Sequence, residues 1–230
     1  MRRSIPLPGT RRPVADHGTI DSVSIRLMVV TDPTPACGRS LLEVVEECLE
    51  AGAPAIQLRD KSASDTKLYG LALQLGEAVR RHGALLIVND RFDVALAAGA
   101  DGVHLGPDDL PVETVRMHSD DGFLIGYSTD DPLGAMLAAS AGADYLGVGA
   151  VFGSSSKPGL EDQAIGSERV GQVLQRSGLP GVGIGGISPD NAAAVFETGA
   201  GVAVLSSVIH AAQPGDVVRR FLEIAGPVTS

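Results

Sequence analysis

The sequence predicts an α/β protein built as a single (β/α)8 TIM barrel, and three observations carry that expectation. From Ile25 onward, eight short runs rich in β-branched and small apolar residues alternate with segments of helical periodicity. Four helical segments close on one small motif: Ala51-Gly52-Ala53, Ala98-Gly99-Ala100, Ala141-Gly142-Ala143 and Thr198-Gly199-Ala200. Glycine there suits a left-handed helix stop followed by a short turn into the next strand. The chain has 230 residues, 44% of them apolar, enough to bury one large core in one domain. Strands alternating with helices on this scale favour a closed parallel barrel. A doubly wound open sheet is the rival, but no G-x-G-x-x-G follows the first strand.

The elements can be justified in order. Residues 1–24 carry Arg2, Arg3, Arg11 and Arg12 and prolines at 6, 8 and 13, without an apolar h-region. They read as a disordered leader and not as a signal peptide, which leaves 25–230 for the barrel. Strands are expected near 25–30, 54–58, 84–88, 101–105, 123–127, 144–149, 181–185 and 201–205, each a nearly continuous apolar run of the kind buried on both faces. Helices are expected over Leu41–Ala51, Asp65–His82, Val94–Ala98, Pro132–Ala141, Ser167–Ser177, Pro189–Thr198 and Pro214–Ile224, with another starting near Pro111. Pro132, Pro189 and Pro214 stand where a helix begins, since the missing amide costs little in a first turn.

Charge and cysteine usage narrow the class. A net charge of −10 with 3% aromatic residues argues against nucleic acid as a partner. No apolar stretch approaches the ~18–20 residues of a membrane span. Cys37 and Cys48 have no metal-type or redox-type spacing and fit free thiols in a reducing, cytoplasmic compartment. A homo-oligomer is compatible with the sequence, which shows neither a heptad nor an obvious patch to decide it.

Hydrogen-bonding residues recur at the strand ends, where ligands gather in parallel α/β folds. Gln57, Arg59 and Lys61 alternate to one side, and a guanidinium beside an ammonium suits a polyanion. Asn89 and Asp90 end the third strand, and Asp109 follows His104 at the fourth. Two carboxylates on adjacent barrel strands suit magnesium, which takes one or two of them with phosphate oxygens and water. The plainer readings are that Asp90 pairs with Arg91 and Asp109 caps the helix near Pro111, and Asp108 competes with Asp109 as the ligand. His104 reads as a packed strand-end histidine, and zinc is disfavoured by the lack of nearby Cys or a second His. Gly185-Gly186 and Ser206-Ser207, at the last two strand ends, form a phosphate-type pair, against the plainer reading that the glycines merely permit a turn. Ser128 ends the fifth strand. The stretch Gly153-Ser154-Ser155-Ser156-Lys157-Pro158-Gly159 either folds over a phosphate or is a long mobile loop.

Taken in this order, Gln57-x-Arg59-x-Lys61, Asn89-Asp90-Arg91, Gly102-Val103-His104-Leu105-Gly106-x-x-Asp109-Leu110-Pro111, Gly126-x-Ser128, Asp144-Tyr145-x-x-Val148-Gly149, Ser154-x-Ser156-Lys157 and Ile184-Gly185-Gly186-Ile187 resemble the thiamine phosphate synthase family. The resemblance runs from about Leu27 to Ile224. It implies condensation of 4-amino-5-hydroxymethyl-2-methylpyrimidine diphosphate with 4-methyl-5-(2-hydroxyethyl)thiazole phosphate, releasing diphosphate. By the same resemblance Asp90 and Asp109 hold magnesium, and Arg59, Lys61, Asn89 and Lys157 contact the diphosphate. Gln57 and Ser128 position the pyrimidine and its leaving group, Ser154 and Ser156 complete the loop, and Gly186 with Ser206 and Ser207 binds the thiazole phosphate. The catalytic roles fall to Arg59, Lys61, Ser128 and Lys157. Two departures stand out: serines where the family has Pro-Thr-x-Thr-Lys, and Gly149-Ala150 where it has Gly-Pro. They lead us to expect changed loop behaviour or substrate affinity with the chemistry kept. The alternatives are a thiazole tautomerase-like enzyme, a non-catalytic phosphate-ligand sensor on the same barrel, or, less well matched, a phosphosugar isomerase.

Overall fold

The computed structural model describes residues 25–35, 38–153 and 164–227; the expected leader, Cys37, and the candidate residues Ser154, Ser156 and Lys157 lie outside them. Eight strands alternate with helices in chain order: β1 (Leu27–Val30), α1 (Leu41–Glu50), β2 (Ala55–Leu58), α2 (Asp65–His82), β3 (Leu85–Asn89), α3 (Phe92–Ala98), β4 (Gly102–Leu105), α4 (Val112–Met117) and β5 (Leu124–Ser128). There follow α5 (Pro132–Ser140), β6 (Tyr145–Gly149), α6 (Ser167–Ser177), β7 (Gly181–Ile184), α7 (Ala193–Phe196), β8 (Gly201–Val204), α8 (Ser206–Ile209) and α9 (Pro214–Ala225). Each strand pairs in parallel with its neighbours in sequence, and β8 returns to β1 through Leu27↔Val202, Met28↔Ala203 and Val29↔Val204, so the sheet is a closed barrel. The open-sheet alternative is thereby removed.

Local chemistry explains the helix ends. Ser40 caps α1 in a reciprocal box with Glu43, Ser64 caps α2, and Asp131 caps α5, whose first residue is Pro132. The four glycines of the closing motif, at 52, 99, 142 and 199, all have positive φ. The expected helix over Pro189–Thr198 is shorter, Ala193–Phe196. Ahead of it Ser188 N–H donates to Asn191 Oδ1 and Asp190 N–H donates to Ser188 Oγ, so side chains take up the backbone groups that a helix would have used.

The core has two parts, set by the period-two alternation of the strands. One set, including Leu27, Val29, Ile56, Leu58, Leu86, Val88, Val103, Leu105, Ile125, Leu146 and Val148, packs outward among the helices. The other, including Met28, Val30, Ala55, Ile87, Leu124, Tyr145, Val182 and Ala203, fills the barrel. The inward positions that continue these rows upward are Gln57, Asn89, His104 and Ser128. The register aligns Asn89 with His104 and His104 with Gly126, two residues before Ser128, so these inward positions sit near the carboxyl ends of neighbouring strands.

Candidate active site

A cavity of about 290 Å³ opens at the carboxyl ends of the strands, lined among others by Gln57, Arg59, Asn89, His104, Ser128, Gly186 and Ser206. On one side stand the cations. Thr31, fully buried at the end of β1, donates its hydroxyl to Arg59 O at 3.1 Å and accepts from Arg59 N–H at 2.8 Å, which fixes the backbone that aims the guanidinium. Asp60 next to it accepts from Ser62 N–H and Oγ–H and from Lys67 Nζ, pinning the turn that carries Lys61. Gln57 is buried, and its amide nitrogen meets Met28 Sδ at 3.3 Å, a weak acceptor.

Beside the cations is an acidic pair. Asp90 has φ +63°, a left-handed conformation that asparagine and aspartate adopt more readily than other non-glycine residues, while its N–H donates to His104 O at 2.8 Å. Arg91 is engaged elsewhere, with Asp65 and Asp93, so the plainer pairing with Asp90 does not occur. Lys61 Nζ instead lies 3.7 Å from Asp90 Oδ2. Asp109 does not cap α4; its Oδ2 accepts from Gly106 N–H at 2.6 Å. Burial holds the Asp90 carboxyl above the usual carboxylate range, and the Asp109 carboxyl beside it pushes the same way, against the pull of Lys61 and Arg59. It is therefore Asp109, and not Asp108, that faces Asp90.

This arrangement fits a hard divalent cation. A half-enclosed Asp90 carboxyl with a second carboxylate facing it is relieved by a cation between the two. No group of three or more His, Cys, Asp or Glu side chains suited to a metal occurs among the described residues. Such a site leaves most ligand positions to phosphate oxygens and water, as magnesium prefers, and does not suit a closed zinc site.

Across the cavity, Gly185 and Gly186 have φ of +103° and +65°, and a Cβ on Gly186 would lie 2.8 Å from Gly153 O and Phe152 O. The pair therefore does more than turn the chain: it admits a second strand of backbone. Phe152 N–H donates to Gly185 O, while Ile165 and Gly166 N–H donate to Ala150 O and Val151 O, so both stems of the segment containing 154–163 are fastened beside the glycines. Next to them α8 begins, and Ser207 Oγ is the one buried side-chain oxygen among the described residues with no partner.

Sequence reasoning treated His104 as packing and singled out neither Tyr145 nor Thr31 as functional. His104 Nε2 lies 2.8 Å from Ser128 Oγ and its Nδ1 lies 3.1 Å from Tyr145 Oη. The available signal was the glycines at Gly126 and Gly147, inward positions flanking these rings. Cys48 is buried, which raises its thiol to about 12 and fits a packing role. Among the described residues no helix is long and apolar enough to cross a membrane.

With this geometry in view, similarity to known proteins becomes informative. The family described as thiamine monophosphate synthase matches residues 27–208. A thiamine-phosphate synthase of Natronomonas pharaonis is 45% identical over 197 residues, covering 85% of this chain and 92% of that protein. Its counterpart in Haloarcula marismortui is 44% identical, covering 81% and 90%. A solved structure, a thiamine phosphate pyrophosphorylase from Pyrococcus furiosus, superposes with a TM-score of 0.81 at 37% identity, covering 89% of this chain and 96% of that one. The closed barrel, the strand-end cavity and these similarities agree, and the chain belongs to the thiamine monophosphate synthase family.

Proposed function

We propose that this protein joins 4-amino-5-hydroxymethyl-2-methylpyrimidine diphosphate to 4-methyl-5-(2-hydroxyethyl)thiazole phosphate, giving thiamine phosphate and diphosphate. The observation that carries this reading is the polarity of the cavity. Arg59 and Asn89 line one side, with Lys61 and the Asp90–Asp109 pair next to them at the strand ends, and Gly185, Gly186 and Ser206 line the other. Two anion-binding ends with a neutral middle match a diphosphate ester and a phosphate ester meeting through their rings.

The methylene carbon–oxygen bond breaks with its electron pair leaving on diphosphate, and the thiazole nitrogen then donates a pair to the resonance-stabilised carbocation. Such a step needs stabilised leaving-group charge more than a general base. Arg59, Lys61, Asn89 and Lys157 take the diphosphate oxygens by charge-assisted and neutral hydrogen bonds. Gln57 and Ser128 orient the pyrimidine and its leaving group. Gly186 and the Ser206 and Ser207 amides hold the thiazole phosphate, with Ser154 and Ser156 meeting the ligands from the loop. Magnesium held by Asp90 and Asp109 would add neutralising charge on the diphosphate.

The deciding experiment mixes purified protein, magnesium and both substrates, and assays thiamine phosphate as fluorescent thiochrome. Magnesium-dependent product is expected. Folded protein that binds thiazole phosphate without turnover would overturn the reading in favour of a tautomerase-like enzyme or a sensor.

A further inference from the structure

At the wall of the cavity, three side chains from successive strands form a hydrogen-bonded row: Tyr145 on β6, His104 on β4 and Ser128 on β5. His104 Nδ1 lies 3.1 Å from Tyr145 Oη and Nε2 lies 2.8 Å from Ser128 Oγ. The backbone is cleared to admit the row. A Cβ on Gly126 would fall 2.2 Å from Tyr145 Cζ and 2.4 Å from His104 Nδ1, and one on Gly147 would fall 2.9 Å from His104 Cε1.

The direction of each hydrogen bond follows from burial. Tyr145 is 0% exposed, and among the described residues its hydroxyl bonds to His104. If the phenol accepted from an Nδ1–H, its own proton would be buried without an acceptor, which is strongly disfavoured. The phenol therefore donates and Nδ1 accepts. A neutral imidazole with a bare Nδ1 carries its proton on Nε2, and that N–H donates to Ser128 Oγ. A serine 2.8 Å from a histidine ordinarily suggests a nucleophile beside its base, but here the polarity is reversed. The nitrogen facing Ser128 is already protonated and cannot take the serine proton. Ser128 accepts from within the barrel, so its own O–H is left to point into the cavity that it lines.

We propose that His104, fixed as the Nε2–H tautomer by Tyr145, is a positioning residue that makes Ser128 a hydrogen-bond donor to an acceptor atom of the bound substrate. The identity of that acceptor, on the pyrimidine diphosphate, rests on the function proposed above; the tautomer does not.

The test separates the two. Two-bond ¹H–¹⁵N NMR of the ¹⁵N-histidine-labelled full chain, with the His104 signal assigned by its loss in His104→Gln, reads the tautomer without substrate. A bare Nδ1 with a protonated Nε2 is expected, and the signal should change in Tyr145→Phe. A protonated Nδ1 in the unaltered protein overturns the proposal whatever the protein catalyses. In the thiochrome assay, His104→Leu should lower kcat by about five- to tenfold, whereas His104→Gln, whose amide can still donate to Ser128, should stay within about threefold. KM for the thiazole phosphate should be unchanged in both. Equal losses in the two variants would overturn the donor role. If His104→Leu does not fold, Tyr145→Phe takes its place, with a kcat loss and unchanged KM expected and full kcat counting against the proposal. An inactive unaltered protein with the expected tautomer would remove the reaction and leave the relay standing.

Discussion

Replacing Gly126 by alanine tests how closely the barrel interior is fitted around its polar row. The added Cβ would lie 2.2 Å from Tyr145 Cζ and 2.4 Å from His104 Nδ1, where ordinary contacts between carbons need about 3.5–4.0 Å. Neither neighbour is a loose surface group, since Tyr145 is 0% and His104 8% exposed. Overpacking of this kind costs about 1–3 kcal/mol. At about 2–4 °C per kcal/mol for a domain of this size, the melting temperature should fall by about 2–12 °C. Displacing the imidazole also loosens its 2.8 Å bond to Ser128. A net hydrogen-bond loss of about 0.5–1.5 kcal/mol corresponds to about a two- to twelvefold slower turnover. Gly70→Ala supplies the contrast, because a Cβ there meets nothing within 4 Å inside α2. It should raise stability by about 0.5–1 kcal/mol and leave kcat alone. Circular-dichroism melts and thiochrome kinetics on both variants read these quantities. A Gly126→Ala protein that melts with the unaltered protein and keeps its kcat would refute the reasoning.

Further predictions follow from the same geometry. Asp109→Ala should lower turnover about a hundredfold while the barrel stays folded, read as rate against magnesium concentration; near-normal magnesium-dependent activity would remove the metal assignment. From the role proposed for it and not from the geometry, Lys157→Ala should cost about 1.5–3 kcal/mol of transition-state binding, or about ten- to a hundredfold in rate, and a loss below about threefold would make that lysine a bystander. Burial raises the Asp60 carboxyl, but hydrogen bonds from Ser62 and the bond and charge of Lys67 outweigh it and hold it below its ordinary value. A depressed carboxylate contributes stability that is complete above the unfolded value, about 3.9, and is lost as pH falls through the folded one. Asp60→Asn should therefore melt about 3–12 °C lower at pH 7, with the gap closing below about pH 4. A gap independent of pH would show that the charge is not what Asp60 contributes.

The eight-strand barrel was legible because the strands are largely buried on both faces and most of the helices end on or next to a glycine of positive φ, features written locally in the chain. Gln57, Arg59, Asn89 and Ser128 were legible for a related reason: they stand where an apolar run stops, and the structure gathers them around one cavity. The choice between Asp108 and Asp109 was not, because spacing cannot say which carboxylate turns toward Asp90. The role of His104 was hidden more deeply. It depends on the register that sets His104 against Gly126, and Gly126 against Tyr145, across three strands. Two of those residues gave no polar signal at a strand end, and the tautomer argument needs the burial of Tyr145, which no single strand encodes.

Part of the cavity wall is bare backbone, supplied by Gly147, Gly149, Gly185 and Gly186. Each already lacks a side chain, and a Cβ at any of them would fall within 3.0 Å of a neighbour. Mutation has nothing to trim at those four positions, so it can narrow the ligand range there but cannot broaden it. Any drift toward bulkier rings, in nature or in the laboratory, has to proceed through the side chains of the lining. There Val30, Val182, Ile184 and Leu205 still offer methyl groups to remove. The direction in which this pocket can evolve is thus set by where its glycines already stand.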